Sequence, residues 1–327
     1  VLNEENAVKL AIIGTAGVRT PLMLRGVLCR QEKLGLTDLY LMDINREHLD
    51  LIRMVSEPVL REAGKGEIPL RTVWTTDARE AIAGADYVVT TFRVGGIRSR
   101  VIDERVPLRY GVLGQETTGP GGFAMALRTI PAILDYVKLI QELAPNAWLI
   151  NFTNPSGLIT EAVTNHTRFQ RIVGICDNPS SMQRAIAAAL GVSPDDLFVE
   201  YFGLNHLGWV RAAYLHGRDV LPEIIASLVE GGIAVQGLPF APDFIATLGM
   251  LPNEYLTFYY HTEQTVRRIL DAGKTRGEQI QELNEWLFAE LKRLQSSMAA
   301  GQKVSEDEIR NTYIAYLVKR GETYMAT

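Results

Sequence analysis

The run Val8-Lys9-Leu10-Ala11-Ile12-Ile13 leads directly into Gly14-Thr15-Ala16-Gly17, and no other stretch constrains the fold as tightly. A mostly apolar run of this length predicts a strand buried on both faces, as in a parallel sheet. Glycine at its end predicts a tight turn. Thr20 and Pro21 predict a helix over 20–30, with Thr20 as N-cap and Pro21 at the first helical position. Strand, glycine turn and helix in this order begin a βαβ unit.

The alternation recurs. Residues 38–43, 87–91, 147–151 and 171–175 read as further strands of the same sheet, and 127–143 as a helix covering one of its faces. Residues 198–202 are a sixth strand candidate. Six strands, intervening helices and a glycine-rich first turn argue for an α/β chain. Its first part is expected to be a Rossmann-type, doubly wound parallel sheet that binds a dinucleotide. After about residue 176 the texture changes. An Ala-rich helix is expected over 180–190, a charged helix pair over 267–298, and a helix over 309–327 that is still patterned where the sequence stops. The expected division is a sheet domain over 1–175 and a mixed α+β, mostly helical domain over 176–327, incomplete at its C-terminus.

Composition excludes several roles. A net charge of -5 offers no basic excess to neutralise phosphates, which argues against nucleic acid as a partner. No apolar run reaches the ~18 residues needed to cross a bilayer, so no membrane partner is expected. The acidic start lacks the basic region of a secretory signal. The two cysteines, Cys29 and Cys176, lie far apart, which suits a reducing, cytoplasmic setting.

Four places carry chemistry. The first loop departs from G-x-G-x-x-G, because Ala16 and Arg19 break the spacing, so an ordinary strand-to-helix turn stays open. Asp43 ends the second strand where a carboxylate can accept from ribose hydroxyls and repel a 2′-phosphate, favouring NAD; a solvated Asp capping the next helix is the alternative. Asn151-Phe152-Thr153-Asn154-Pro155 follows another strand, and ligands bind beyond such strand ends. Asn151 is assigned with Gly14, Gly17 and Asp43 to the cofactor side. Asn154, held extended before Pro155, has an amide free for a ligand, or else it caps a helix. Cys176, in Gly174-Ile175-Cys176-Asp177-Asn178-Pro179, and His206, in Gly203-Leu204-Asn205-His206, can share a divalent metal. A buried Cys is more often inert.

Further motifs complete a pattern: Phe92-Arg93-Val94-Gly95-Gly96, Gly114-Gln115-Glu116-Thr117-Thr118-Gly119-Pro120-Gly121-Gly122, Leu127-Arg128-Thr129-Ile130-Pro131, Asn253-Glu254-Tyr255-Leu256 and Gly273-Lys274-Thr275-Arg276. In this order, over nearly the whole chain, they resemble the NAD- and metal-dependent glycoside hydrolases of family 4, most of all 6-phospho-β-glucosidases. This family departs from the two-carboxylate scheme of most glycosidases. Its members normally extend further at the C-terminus.

The resemblance implies hydrolysis of 6-phospho-β-glucosides by NAD-assisted oxidation at C3, removal of the C2 proton, elimination of the aglycone and water addition. It implies a divalent metal, Mn²⁺ being the expected one, on Cys176 and His206, and Tyr255 as base. Tyr259 and Tyr260 are close alternatives for the base. Arg93, Asn154 and Arg276 are the implied phosphate donors, and Arg19 is a further candidate. The second domain is then substrate- and metal-binding, and a homodimer or homotetramer is expected. Asp177 stands where the β-type enzymes are expected to carry Asn; in α-type relatives an Asp there is associated with protonating the leaving group. A 6-phospho-α-glucosidase is therefore the alternative within the family. Outside it stand a lactate/malate-type dehydrogenase, whose scheme has no place for Cys176 or Tyr255, and a catalytically silent NAD-binding regulator.

Overall fold

The structure is a computed structural model that describes residues 7–63 and 70–322. Six parallel strands form the main sheet: β1 Val8–Ile13, β2 Leu36–Met42, β3 Arg71–Thr75, β4 Tyr87–Thr90, β5 Trp148–Asn151 and β6 Ile172–Gly174. Their spatial order is β3-β2-β1-β4-β5-β6. The direction of winding reverses between β1 and β4, so a crevice opens beyond their carboxyl ends.

Period-two geometry explains why β1 reads as one apolar run. Leu10 and Ile12 pack on one side with Leu24, Leu28 and Leu39. Ala11 and Ile13 pack on the other with Val88, Ile133, Val137 and Leu149. Burying each such Leu or Ile contributes roughly 1.5–3 kcal/mol.

Strand β3 was not expected. It lies at the sheet edge and its residues are mostly half-buried, so it lacks the continuous apolar signature. The 198–202 candidate is a strand, but in a second, antiparallel sheet: β7 Leu197–Leu204 pairs with β8 Leu207–Leu215. The first helix is Thr20–Leu28, and Arg19, not Thr20, holds the N-cap position. Thr20 is already inside the turn, its N–H donating to Gly17 O at 3.0 Å. The helix expected over 127–143 begins at Gly119, so Gly119-Pro120-Gly121-Gly122 forms its first turn.

The charged pair is Thr262–Ala272 and Arg276–Ala299, separated at Gly273 and restarted by the Thr275/Glu278 capping box. The last helix is Glu306–Glu322; the remaining residues of the 309–327 expectation lie outside the described ones. These C-terminal helices do not stand apart from the main sheet. Leu287, Leu291, Leu294 and Tyr316 share a core with Leu51, Ile52 and Val55 of the helix Arg46–Ala63. That core thus has members on both sides of the expected 175/176 boundary. Among the described residues no helix is long and apolar enough to cross a membrane.

Candidate active site

A cavity of 1470 Å³ lies beyond the carboxyl ends of the strands and is lined by Gly14, Gly17, Asp43, Arg93, Asn154, Cys176, Asp177, His206, Tyr255 and Arg276. Ten of the eleven residues assigned from sequence therefore face one space.

At its dinucleotide end, Gly14 has φ 102°, and a Cβ there would sit 2.6 Å from the Phe92 backbone nitrogen. Only glycine lets β1 pass this close to the segment after β4. Asp43 secures the turn: one carboxylate oxygen accepts from Ala16 N at 2.9 Å and the other from Asn45 N at 2.9 Å. Tyr313 OH donates to Val18 O at 2.8 Å, so the C-terminal helix also holds this loop.

Asn151 has a different role from the one expected. It is fully buried. Its Oδ1 accepts from Thr90 Oγ1 and Thr153 N, while Nδ2 donates to Thr153 O, Ser156 O and Thr160 Oγ1. With both ends of the amide engaged it shapes the loop that presents Asn154, and it does not face the cavity. The Asn154–Pro155 peptide is cis.

Of the phosphate candidates, Arg93 sits in an ionic network that was not legible in the sequence. Glu116 Oε2 accepts from Arg93 at 2.5 Å and from Arg100 at 2.9 Å. Arg100 also pairs with Glu104 at 2.7 Å, and Glu104 accepts from Gly277 N at 2.6 Å. Burial alone would raise the Glu116 pKa, but the Arg100 and Arg93 guanidinium groups overcome it and hold the carboxyl at about 2. Arg276 is braced by Gln279 Oε1 at 3.1 Å and Arg320 O at 3.2 Å. Arg19 reaches across the mouth to Asp177, 3.0 Å away, tying the glycine loop to the cysteine loop. The i,i+4 pair Arg100/Glu104 was a readable signal; the reach to Glu116 was not.

Cys176 follows β6, and His206 lies in the two-residue turn between β7 and β8, with φ 60°. The Sγ–Nε2 distance is 3.6 Å. A tetrahedral ion bonded to a thiolate at ~2.3 Å and an imidazole at ~2.0–2.1 Å holds those atoms roughly 3.5 Å apart, so the pair fits a shared metal. Burial lowers the His206 pKa and keeps the ring neutral, the form that ligates metals. Burial also raises the Cys176 pKa, so a metal would have to displace the thiol proton. Among the described residues no three His, Cys, Asp or Glu side chains cluster as a complete site.

Tyr255 stacks on His206 with centroids 3.8 Å apart. Tyr259 and Tyr260 are exposed and do not line the cavity. Asn253, fully buried, accepts from Tyr255 N at 3.0 Å and donates to Tyr201 OH at 2.7 Å, which sets the Tyr255 turn.

A dinucleotide-type crevice with a thiol–imidazole pair and a stacked phenol defines an enzyme class that joins a redox-cofactor fold to a metal-type donor pair. The chain belongs to family 4 of the glycosyl hydrolases: the family profile matches residues 9–192, and that of the family's C-terminal domain matches 201–327. It is similar to a probable 6-phospho-beta-glucosidase of Bacillus subtilis, 37% identical over 290 residues, which cover 86% of this chain and 65% of that protein. Thus the chain spans just under two thirds of that relative's length. Among solved structures, the 6-phospho-beta glucosidase from Thermotoga maritima with NAD and glucose-6-phosphate superposes with a TM-score of 0.82 at 28% identity, covering 98% of this chain and 71% of that one. A 6-phospho-alpha-glucosidase from gut microorganisms in complex with NAD and Mn2+ gives 0.80 at 28% identity, covering 95% and 74%.

Proposed function

We propose that this protein hydrolyses 6-phospho-β-glucosides with NAD and a divalent metal, Mn²⁺ first, as catalytic partners. The observation that carries this reading is the convergence of Cys176, His206 and Tyr255 on the cavity that the glycine loop also lines. Gly14, Gly17 and Asp43 shape the dinucleotide end, and Arg93, Asn154 and Arg276 face the substrate's phosphate, for which arginine offers paired N–H donors. NAD supplies reversible hydride exchange with the sugar. A metal on Cys176 and His206 supplies Lewis acidity toward sugar oxygens. Tyr255 takes up the C2 proton, and Asp177, once freed from Arg19 and protonated from the solvent that reaches it, delivers that proton to the leaving oxygen.

The β preference is supported by the 37% identity to the Bacillus subtilis protein, and Asp177 favours the α alternative. Incubation with p-nitrophenyl 6-phospho-β-glucoside and its α anomer, with NAD, Mn²⁺ and a thiol reductant, separates the two. Turnover that persists without NAD or metal overturns the reading. Two free thiols and a charged phosphosugar substrate suit a cytoplasmic enzyme. Light scattering tests the proposed homodimer or homotetramer.

A further inference from the structure

Two side chains behind His206, Gln115 and Thr117, have hydrogen-bonding chemistry that admits one arrangement. The Gln115 amide accepts from Thr117 N at 2.5 Å. A backbone N–H only donates, so the amide atom facing it must be Oε1, which fixes the amide's orientation. The same oxygen lies 2.9 Å from Thr117 Oγ1. Because Oε1 carries no hydrogen, the hydroxyl proton points at it. Thr117 Oγ1 then turns only lone pairs toward His206 Nδ1, 2.8 Å away.

We propose that Gln115 and Thr117 form a relay that holds His206 as its Nδ1–H tautomer and aims the Nε2 lone pair at the space beside Cys176. The inference rests on the metal reading of the Cys176–His206 pair and deepens it; both relay residues are positioning residues that act through the imidazole. The relay is shielded, with Gln115 and His206 buried. It is also braced, since a Cβ on Gly122 would lie 2.4 Å from Thr117 C, so glycine there lets the Thr117 backbone press against the helix. An outer hydrogen bond that selects the tautomer is what a ligating imidazole requires.

The test begins without a variant. In ¹⁵N spectra of metal-free protein labelled at histidine, the signal lost in His206→Asn is expected to show a protonated Nδ1 and a bare Nε2. Thr117→Val removes the hydroxyl at constant shape. It is expected to release the tautomer and to weaken Co²⁺ binding, followed by the thiolate-to-cobalt absorption, by about 10–100-fold. Thr117→Ser is expected to restore both. An Nε2–H His206 in the unmodified protein overturns the relay, as does a Thr117→Val protein that keeps the parental tautomer and affinity. Cys176→Ser and His206→Asn proteins that bind Co²⁺ as the parent does would overturn the metal reading instead, and the tautomer of the metal-free protein would still judge the relay.

Discussion

The phenol ring of Tyr255 lies flat on the imidazole of His206, with centroids 3.8 Å apart and planes inclined by 7°. The stack brings the proposed base and a proposed metal ligand into one rigid unit, although they come from different turns of the second half. Tyr255→Phe keeps the ring and removes the hydroxyl. It is expected to lower kcat by ~10²–10⁴-fold, the usual reach of general base catalysis, with little change in KM. Steady-state turnover and the rate of solvent deuterium entry at C2 measure this; a loss below about tenfold places the base elsewhere.

Glu116 makes acid stability a readout of the buried network. Its carboxyl is held at about 2 against an ordinary value of 4.5, because Arg100 and Arg93 outweigh the burial that would raise it. The folded value is the lower one, so its contribution is complete above the ordinary value and is lost as pH falls toward about 2. That contribution is on the order of 3 kcal/mol. Glu116→Gln is expected to destabilise by a similar amount near neutrality, leaving two arginines without their shared partner. The gap to the parent should close on acidification. Urea unfolding at about pH 7 and about pH 3 checks the sign, and a pH-independent gap contradicts it.

Asp43 holds Ala16 N and Asn45 N with its two carboxylate oxygens. Asp43→Ala is expected to loosen the glycine loop and weaken NAD binding by roughly 10–100-fold, the scale of lost hydrogen bonds to a charged group. Preference for NAD over NADP should fall with it. Fluorescence titration with both nucleotides decides; unchanged affinities would leave Asp43 as a helix-turn residue only.

Arg276 lines the cavity and is braced by neighbours on its own and the last helix. Its replacement by Ala is expected to raise KM for the phosphorylated glucoside about 10–100-fold. The discriminating quantity is the ratio of kcat/KM for phosphorylated and unphosphorylated glucosides. A ratio equal to the parent's removes Arg276 from phosphate recognition.

Leu291 is fully buried between the C-terminal helices and the helix Arg46–Ala63. Leu291→Ala is expected to cost about 2–5 kcal/mol in urea unfolding. The loss should appear in one transition, since the core is shared; two separated transitions would instead support a division near residue 175.

Local pattern made most of the sheet legible. Short, mostly apolar runs announced β1, β2, β4, β5 and even the edge strand β6. β3 did not, because this edge strand is half-solvated and tolerates Arg71 and Thr72. Parallel topology also sends all strand ends to one side, which is why Asp43, Asn154 and Cys176 could be placed at a site from strand ends alone. Asn151 is a comparable case: an asparagine at a strand end looks the same in sequence whether its amide faces a ligand or, as in this structure, its own loop.

The sequence by itself determined the Gly14–Gly17 turn, five of the six parallel strands and the residue types able to serve a phosphosugar, NAD and a metal, because those depend on local periodicity and side-chain chemistry. Only the tertiary structure decided which groups meet. Thr117 and His206 are 89 residues apart, Arg19 and Asp177 158 apart, yet each pair is in hydrogen-bond contact. The first contact depends on how the second sheet docks on the main one, the second on the parallel sheet bringing the chain after β1 and after β6 to the same side; both come from packing between distant apolar faces, which no local spacing encodes.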